Sequence, residues 1–370
     1  MADRQTYHQK TAIDLTLKLR EVLATLPPFV RDYFRAIDAS TSPKTRLSYA
    51  YDIRIFFQFL RRANPLYAAY DLRDFTLEDI DRVNARDIEE YMEFLKVYVP
   101  GDSEASEGQN KPYTNGERGL KRKISSLRSF YAYYYRQQMI TTNPTVLVDM
   151  PKVHERTIVR LEADEVAALL DHVEHAGDTL TGQARAYFQK TKERDLALIT
   201  LLLGTGIRVS ECVGLDIEDV DFRNNGIRIT RKGGNEAIVY FGEEVEKALR
   251  AYLEIRSGIT PVPGHEHALF YSTQKKRLTV RAVENLVEKY ASSVTTAKKI
   301  TPHKLRSTYG TALYRETGDI YLVADVLGHK DVNTTRRHYA AMDDERRRRA
   351  AGAVRLREEA AVPDSEGSES

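Results

Sequence analysis

Apolar positions recur at three- and four-residue spacing through most of the chain, and the pattern turns to strict alternation around 219–241. The stretches DLTLKLREVLATL (14–26), SPKTRLSYAYDIRIFFQFLRR (42–62), NARDIEEYMEFLKVYV (84–99) and ERGLKRKISSLRSFYAYYYRQQM (117–139) each predict a helix. In the second, Ser42 and Pro43 supply a cap and a first-turn proline, and Leu47, Tyr51, Ile55 and Phe59 step along one face as expected core. In the fourth, Leu120, Ile124, Leu127, Tyr131 and Tyr134 form the apolar stripe, which leaves Arg118, Lys121, Arg122 and Arg128 largely off that face. The segment PGDSEASEGQNKPYTNG between the last two helices is polar and rich in turn formers, an exposed loop.

Two prolines interrupt the helical pattern in TTNPTVLVDMPKVHERTIVR (141–160), and a fresh amphipathic helix starts at EADEVAALLDHV, so a domain boundary falls near residue 150. A strongly apolar helix, RDLALITLLLGTG, follows. The alternating run DVDFRNNGIRITRKGGNEAIVYF, with turns at Asn225-Gly226 and Gly233-Gly234, predicts a small antiparallel sheet of about three strands. Helices resume at GEEVEKALRAYLEIR and continue nearly to the end. The expected fold is mainly α with a small antiparallel β-sheet in the C-terminal domain.

Length and composition narrow the class. With 370 residues, 42% hydrophobic and 30% charged, the chain has the make-up of a two-domain soluble protein. No apolar run approaches the roughly 20 residues of a membrane span, and the first residues lack the order of a signal peptide, so a cytoplasmic location is expected. Cys212 is the single cysteine, which rules out an internal disulfide or a cysteine-based metal cluster and reads as a packing residue. The net charge is +2, but the last thirteen residues hold five acids and no base, and leaving them out raises it to +7. That basicity permits a polyanionic partner without establishing one. Lys44, Arg46 and Arg54 on the second helix, with Arg118, Lys121, Arg122 and Arg128 on the fourth, are either solvated charge or a pair of helices laid against phosphates.

Five local features in the second half bear on chemistry. In GTGIRVSE, Arg208 follows a helix-breaking glycine pair, placed to aim into a cleft or simply to pair with Glu211. Lys232 sits at the hairpin tip of TRKGG. In TPHKLR, Pro302 fits the first helical position, so His303 and Arg306 share the first turn, where free backbone N–H groups favour an anion. His329 lies just past a helix-ending glycine in VADVLGHK, and Tyr339, one of 22 tyrosines, lies in TTRRHYAAM. Each alone has an ordinary structural explanation. As a set they are the parts for phosphodiester transesterification without a metal: two guanidiniums for the phosphate, an ammonium to protonate a departing 5′ oxygen, a phenolate to attack phosphorus. The two histidines have no accompanying carboxylate cluster at a metal-binding spacing, so no metal site is expected.

Arg208, Lys232, HKLR, LGH and Tyr339, in this order and at these separations, resemble the tyrosine recombinase (tyrosine integrase) family. KERDLALITLLLGTGIRVSE, TRKGG and TPHKLR look most like its Xer type, in particular the form that acts without a second recombinase. The resemblance implies a helical N-terminal core DNA-binding domain (1–145), an interdomain linker (146–157), a catalytic domain (158–345), and a C-terminal segment (346–370) with a helix for protomer contact and an acidic tail. It implies a clamp around DNA. Arg208 and Arg306 would hold the scissile phosphate, Lys232 would act as general acid, and His303 would exchange a proton with the tyrosine. His329 would bond a non-bridging oxygen, Tyr339 would be the nucleophile, and Glu211 would support the site. Ser307, where many relatives carry a second histidine, leaves the six intact, and RRHYAAM departs from the commoner context in which threonine and histidine follow the tyrosine. A docking segment is expected at 343–358.

The implied partners are double-stranded DNA at a specific recombination site, a homotetramer on two such sites and a septal DNA translocase, with no membrane, no metal and no ATP. Resolution of chromosome dimers through a Holliday junction leads. A phage or mobile-element integrase stands second, since the first forty residues suggest no small β-sheet module for arm sites. A non-catalytic architectural DNA-binding protein is the alternative of another class, and a type IB topoisomerase is more distant.

Overall fold

In a computed structural model, residues 5–99, 112–154, 159–231, 233–329 and 332 are described. Lys232, Tyr339 and the expected docking segment and acidic tail fall outside them. The chain divides into two compact units, Met1–Arg156 and Thr157–Ser370.

The first unit is built from α1 (Tyr7–Ala24), α2 (Val30–Ala36), α3 (Pro43–Ala63), α4 (Leu77–Asp81), α5 (Ala85–Lys96) and α6 (Glu117–Arg136). Ser42 caps α3 by accepting from Thr45 N at 3.2 Å, with Pro43 at its first position. The core is aromatic: Tyr33, Phe56, Phe57, Phe75, Tyr91, Phe130, Tyr131 and Tyr134 are all fully buried, with edge contacts such as Phe56–Tyr91 at 5.1 Å between ring centres. Buried phenols find backbone acceptors, Tyr131 at Ile80 O (3.1 Å) and Tyr134 at Phe29 O (2.8 Å).

Two local expectations change. Tyr51 is 39% exposed, whereas Ala50, Ile53, Phe57 and Leu60 are buried. Leu47 and Phe59 are buried as expected and Ile55 is half-buried; steps of four residues overshoot a helical turn by about 40° each, so the row crosses the exposed strip of the helix at Tyr51 between its two buried ends. The predicted helix 84–99 stops at Lys96, where Val97–Tyr98 (β1) pairs antiparallel with Tyr113–Thr114 (β2), from the segment expected to be a loop. Residues 146–154, expected as linker, include a buried Val148 in the first unit's core, and His154 N donates to Glu117 of α6 at 2.9 Å.

The second unit holds α7 (Ala163–His175), α8 (Gly182–Thr205), α9 (Val209–Gly214), β3 (Val220–Asp221), β4 (Gly226–Thr230), β5 (Glu236–Tyr240), α10 (Glu243–Ser257), α11 (Val280–Val294), α12 (Pro302–Thr317) and α13 (Ile320–Leu327). The apolar end of α8 is its hub: Ala197, Leu198, Ile199, Leu201 and Leu202 are fully buried against α7, α10 and α12. The sheet is antiparallel in the order β3-β4-β5 with Ile227 opposite Val239. Ile227, Ile229 and Val239 face inward and Arg228, Ile238 and Tyr240 outward, as the alternation requires. The mainly helical fold with one small antiparallel sheet in the second unit is thus the one the sequence predicts. No helix among the described residues is long and apolar enough to cross a membrane.

Candidate active site

The end of α13 organises the site. Gly328 adopts a left-handed conformation (φ 62°), and His329 N bonds back to Ala324 O at 2.8 Å, closing the helix. The carbonyls beyond that closure sit at the negative end of the helix dipole, where cations are stabilised. Both arginines singled out by the sequence go there. Arg208 donates from Nη2 to Gly328 O at 3.2 Å, and Arg306 donates from Nη2 to Leu327 O and from Nη1 to Gly206 O.

Arg208 precedes α9 as its N-cap and pairs with Glu211, one of the two readings its position allowed. Glu211, 3% exposed, accepts from Arg208 N at 2.7 Å and from Nη1 at 2.8 Å. Held at Nη1 by the carboxylate and at Nη2 by Gly328 O, the guanidinium is fixed in plane as well as in place. Arg306 is 5% exposed on the first turns of α12, whereas His303, one turn earlier, is exposed. His329, half-buried, follows Gly328 directly. Arg208, Glu211, Arg306 and His329 are therefore gathered around one helix end. A guanidinium carries five N–H donors, so one held by backbone oxygens can still grip a phosphate.

Chain geometry explains how residues about a hundred positions apart meet. Gly206 ends α8 in the left-handed region (φ 61°) and turns the chain into Arg208, while Pro302 starts α12 so that Arg306 comes back beneath that turn. Cys212, on α9, is fully buried and its thiol is pushed up to about 12 by burial, in keeping with a packing role. Among the described residues, no group of three or more His, Cys, Asp and Glu side chains is set to hold a metal ion.

The seven basic residues singled out on α3 and α6 divide. Arg46 pairs with Asp38, Arg122 pairs through both terminal nitrogens with buried Asp52, and Arg128 donates to Thr145 O at 3.0 Å and to Val148 O. These three are engaged within the first unit. Lys44, Arg118 and Lys121 are exposed, and Arg54 lies 5.0 Å over the Tyr51 ring. The sequence pattern missed Arg231, whose guanidinium also reaches α13, at Asp325 O (3.2 Å) and Val326 O (3.1 Å). Its only sequence signal is its place beside Lys232.

The phage integrase family model matches residues 159–346. The chain is 32% identical over 324 residues to the tyrosine recombinase XerC of Caldanaerobacter subterraneus subsp. tengcongensis, covering 84% of this chain and 82% of that one. It is 30% identical over 339 residues to the tyrosine recombinase XerS of Lactococcus lactis subsp. cremoris, covering 86% and 92%. Among solved structures, the Tn1549 transposon integrase in complex with transposon right-end DNA matches with a TM-score of 0.59 at 20% identity, over 87% of this chain and 98% of that one, a likeness of fold. With the family model spanning the second unit's described site and relatives matching along most of their own length, the chain belongs to the tyrosine recombinase family and is a site-specific recombinase enzyme.

Proposed function

We propose that the protein binds double-stranded DNA at one recombination site and cuts and rejoins it through a 3′-phosphotyrosyl intermediate, resolving chromosome dimers. The observation that carries this reading is the anchoring of Arg208 and Arg306 on adjacent carbonyls beside His329. Two fixed guanidiniums at that spacing suit the two non-bridging oxygens of a phosphate, where charge gathers as phosphorus becomes pentacoordinate. The Tyr339 oxygen attacks phosphorus, the P–O5′ bond breaks, and the Lys232 ammonium gives its proton to the departing 5′ oxygen. His303 takes the tyrosine proton, His329 donates to a non-bridging oxygen, and Glu211 holds Arg208. Because the phosphotyrosyl bond conserves the energy of the broken diester, a 5′-hydroxyl of the second duplex reseals the strand with no metal ion and no ATP.

Four protomers on two sites would exchange one strand pair, pass through a Holliday junction and exchange the other, with a septal DNA translocase as a further partner. Lys44, Arg54, Arg118 and Lys121 would supply phosphate contacts from the first unit, while Arg46, Arg122 and Arg128 serve its fold. Similarity to XerC and XerS over most of both lengths supports the chromosomal role over integration.

Trapping covalent protein–DNA adducts in fragmented host DNA, for wild type and Tyr339→Phe, tests the reading. Adducts that vanish in Tyr339→Phe and map to one palindrome-like site near the replication terminus are expected. Adducts at the ends of a mobile element would make the protein an integrase. Specific binding with no adduct, even on nicked substrates that block religation, would overturn the catalytic assignment.

A further inference from the structure

Among the described residues, three arginines and not two converge on the end of α13. Arg208 reaches Gly328 O and Arg306 reaches Leu327 O, while Arg231 takes the two preceding carbonyls, Asp325 O from Nη1 at 3.2 Å and Val326 O from Nη2 at 3.1 Å. Four consecutive carbonyls of one helix terminus each accept from a guanidinium; Asp325 O also takes the Gly328 N–H at 2.8 Å, and the guanidiniums serve the end where the helix runs out of its own donors. Gly328 completes the arrangement. A Cβ at that position would come within 2.3 Å of Arg231 Nη1 and 2.6 Å of its Cζ, so the backbone there packs directly against the guanidinium.

Arg231 is also the residue at which β4 leaves the ladder. Its N–H donates to Asn235 O at 2.7 Å and its carbonyl accepts from Gly234 N at 3.0 Å, closing the hairpin from both ends of the turn. The same residue thus shapes the hairpin with its backbone and ties it to α13 with its side chain. An arginine that merely capped a helix would need no such double attachment.

We infer that Arg231 is a positioning residue for the leaving-group step: it registers the β4–β5 hairpin against the helix end that also fixes Arg208 and Arg306, and thereby sets the general acid against the phosphate grip. The inference rests on the proposed role of Lys232, its neighbour in the chain. The proton must reach O5′ as the P–O5′ bond breaks, and a misplacement of about 1 Å can slow such a step about 10²-fold. Lysine at position 231 would keep the charge but lose the fork that spans two carbonyls.

Single-turnover cleavage by the full chain, at saturating DNA, on two suicide duplexes provides the test. One carries the ordinary diester at the scissile position and the other carries sulphur in place of the bridging 5′ oxygen. On the second, the P–S5′ bond breaks and the thiolate departs without a proton, so a general acid is not needed. Arg231→Ala is expected to cleave the oxygen substrate about 10²-fold more slowly than wild type and the sulphur substrate at a rate close to wild type, with Arg231→Lys between them. Arg306→Ala, which loses the phosphate grip, is expected to be slow on both. Lys232→Ala checks the underlying reading: without its own rescue by sulphur, the general-acid assignment fails whatever Arg231 does. With Lys232→Ala rescued, an Arg231→Ala that is folded by circular dichroism and equally slow on both substrates, or as fast as wild type on both, overturns the positioning role. Should Arg231→Ala not fold, the same comparison is made with Arg231→Lys, for which a selective loss on oxygen supports the inference and an equal loss, or none, overturns it.

Discussion

Gly206 shows how little of a site can rest on its reactive groups. Its carbonyl accepts from Arg306 Nη1, its φ is 61°, and a Cβ built on it would stand 2.4 Å from Tyr309 Cδ1 and 3.0 Å from Leu327 Cδ2. Alanine there meets two penalties: about 1–2 kcal/mol for a left-handed backbone and about 1–3 kcal/mol for overpacking. Gly206→Ala is therefore expected to lower urea-unfolding stability by about 2–5 kcal/mol and to slow cleavage at saturating DNA, since the acceptor that fixes Arg306 shifts. An unchanged urea midpoint with unchanged cleavage would show that neighbouring side chains yield freely. What the sequence displayed at this scale was the donors. Arg208 with Glu211 three residues on, and His303 with Arg306, are readable because helical spacing fixes their relation. Arg231 was not readable, because its partners are backbone carbonyls 94 and 95 residues away, and a carbonyl has no letter in the sequence. The same blindness applied to Arg128, whose acceptors are the carbonyls of Thr145 and Val148.

Among the elements, α12 matters most, since it carries both His303 and Arg306, and it is held by the start of α7. Thr308 Oγ1 accepts from Leu161 N at 3.0 Å, and Arg315 donates to Glu162 at 2.9 Å. Glu162 is held below the ordinary glutamate value first by its bond from Arg315, and Glu165 first by its bond from Lys298 and then by the Glu162 N–H. Both folded values lie below 4.5, so the unfolded chain binds more protons in that window, and stability rises with pH there. The contribution is full above 4.5 and is lost as pH falls through the folded values. In urea titrations, Glu162→Gln with Glu165→Gln is expected to flatten the fall in midpoint between about pH 5 and pH 3 relative to the parent. Parallel curves would mean that these two carboxylates contribute nothing to stability through Arg315 and Lys298. Elements themselves were legible where one period governs a long run, as in α6 and the alternating β4 and β5. They were not legible at β1 and β2, whose pairing joins two short segments across many residues, nor at Tyr51, where an even four-residue row crosses the exposed strip of α3 between buried Leu47 and Phe59.

For the whole molecule, the decisive feature is that the first unit owns its interior. The first unit's core runs from Leu19 to Val148 and lies wholly within Met1–Arg156. Its last stretch also packs inward through Val148 and through the bond from His154 N to Glu117. A unit of about 150 residues can bury roughly 68–70% of its surface, enough for an independent fold. The fragment 1–156 is therefore expected to give a helical circular dichroism spectrum and one cooperative thermal transition. If Lys44, Arg54, Arg118 and Lys121 contact phosphates, the fragment's DNA affinity falls with salt at about 0.9 log unit of affinity per log unit of salt for each contact. Replacing all four with alanine should then remove most of that slope while leaving the melting transition in place, because none of them is buried. The counter-experiment uses Arg46, Arg122 and Arg128, whose guanidiniums are bound to Asp38, Asp52 and two carbonyls, and whose replacement should lower the transition instead. A salt slope that followed the second set rather than the first would reverse the assignment of the two groups and move the phosphate contacts onto residues that also hold the fold together.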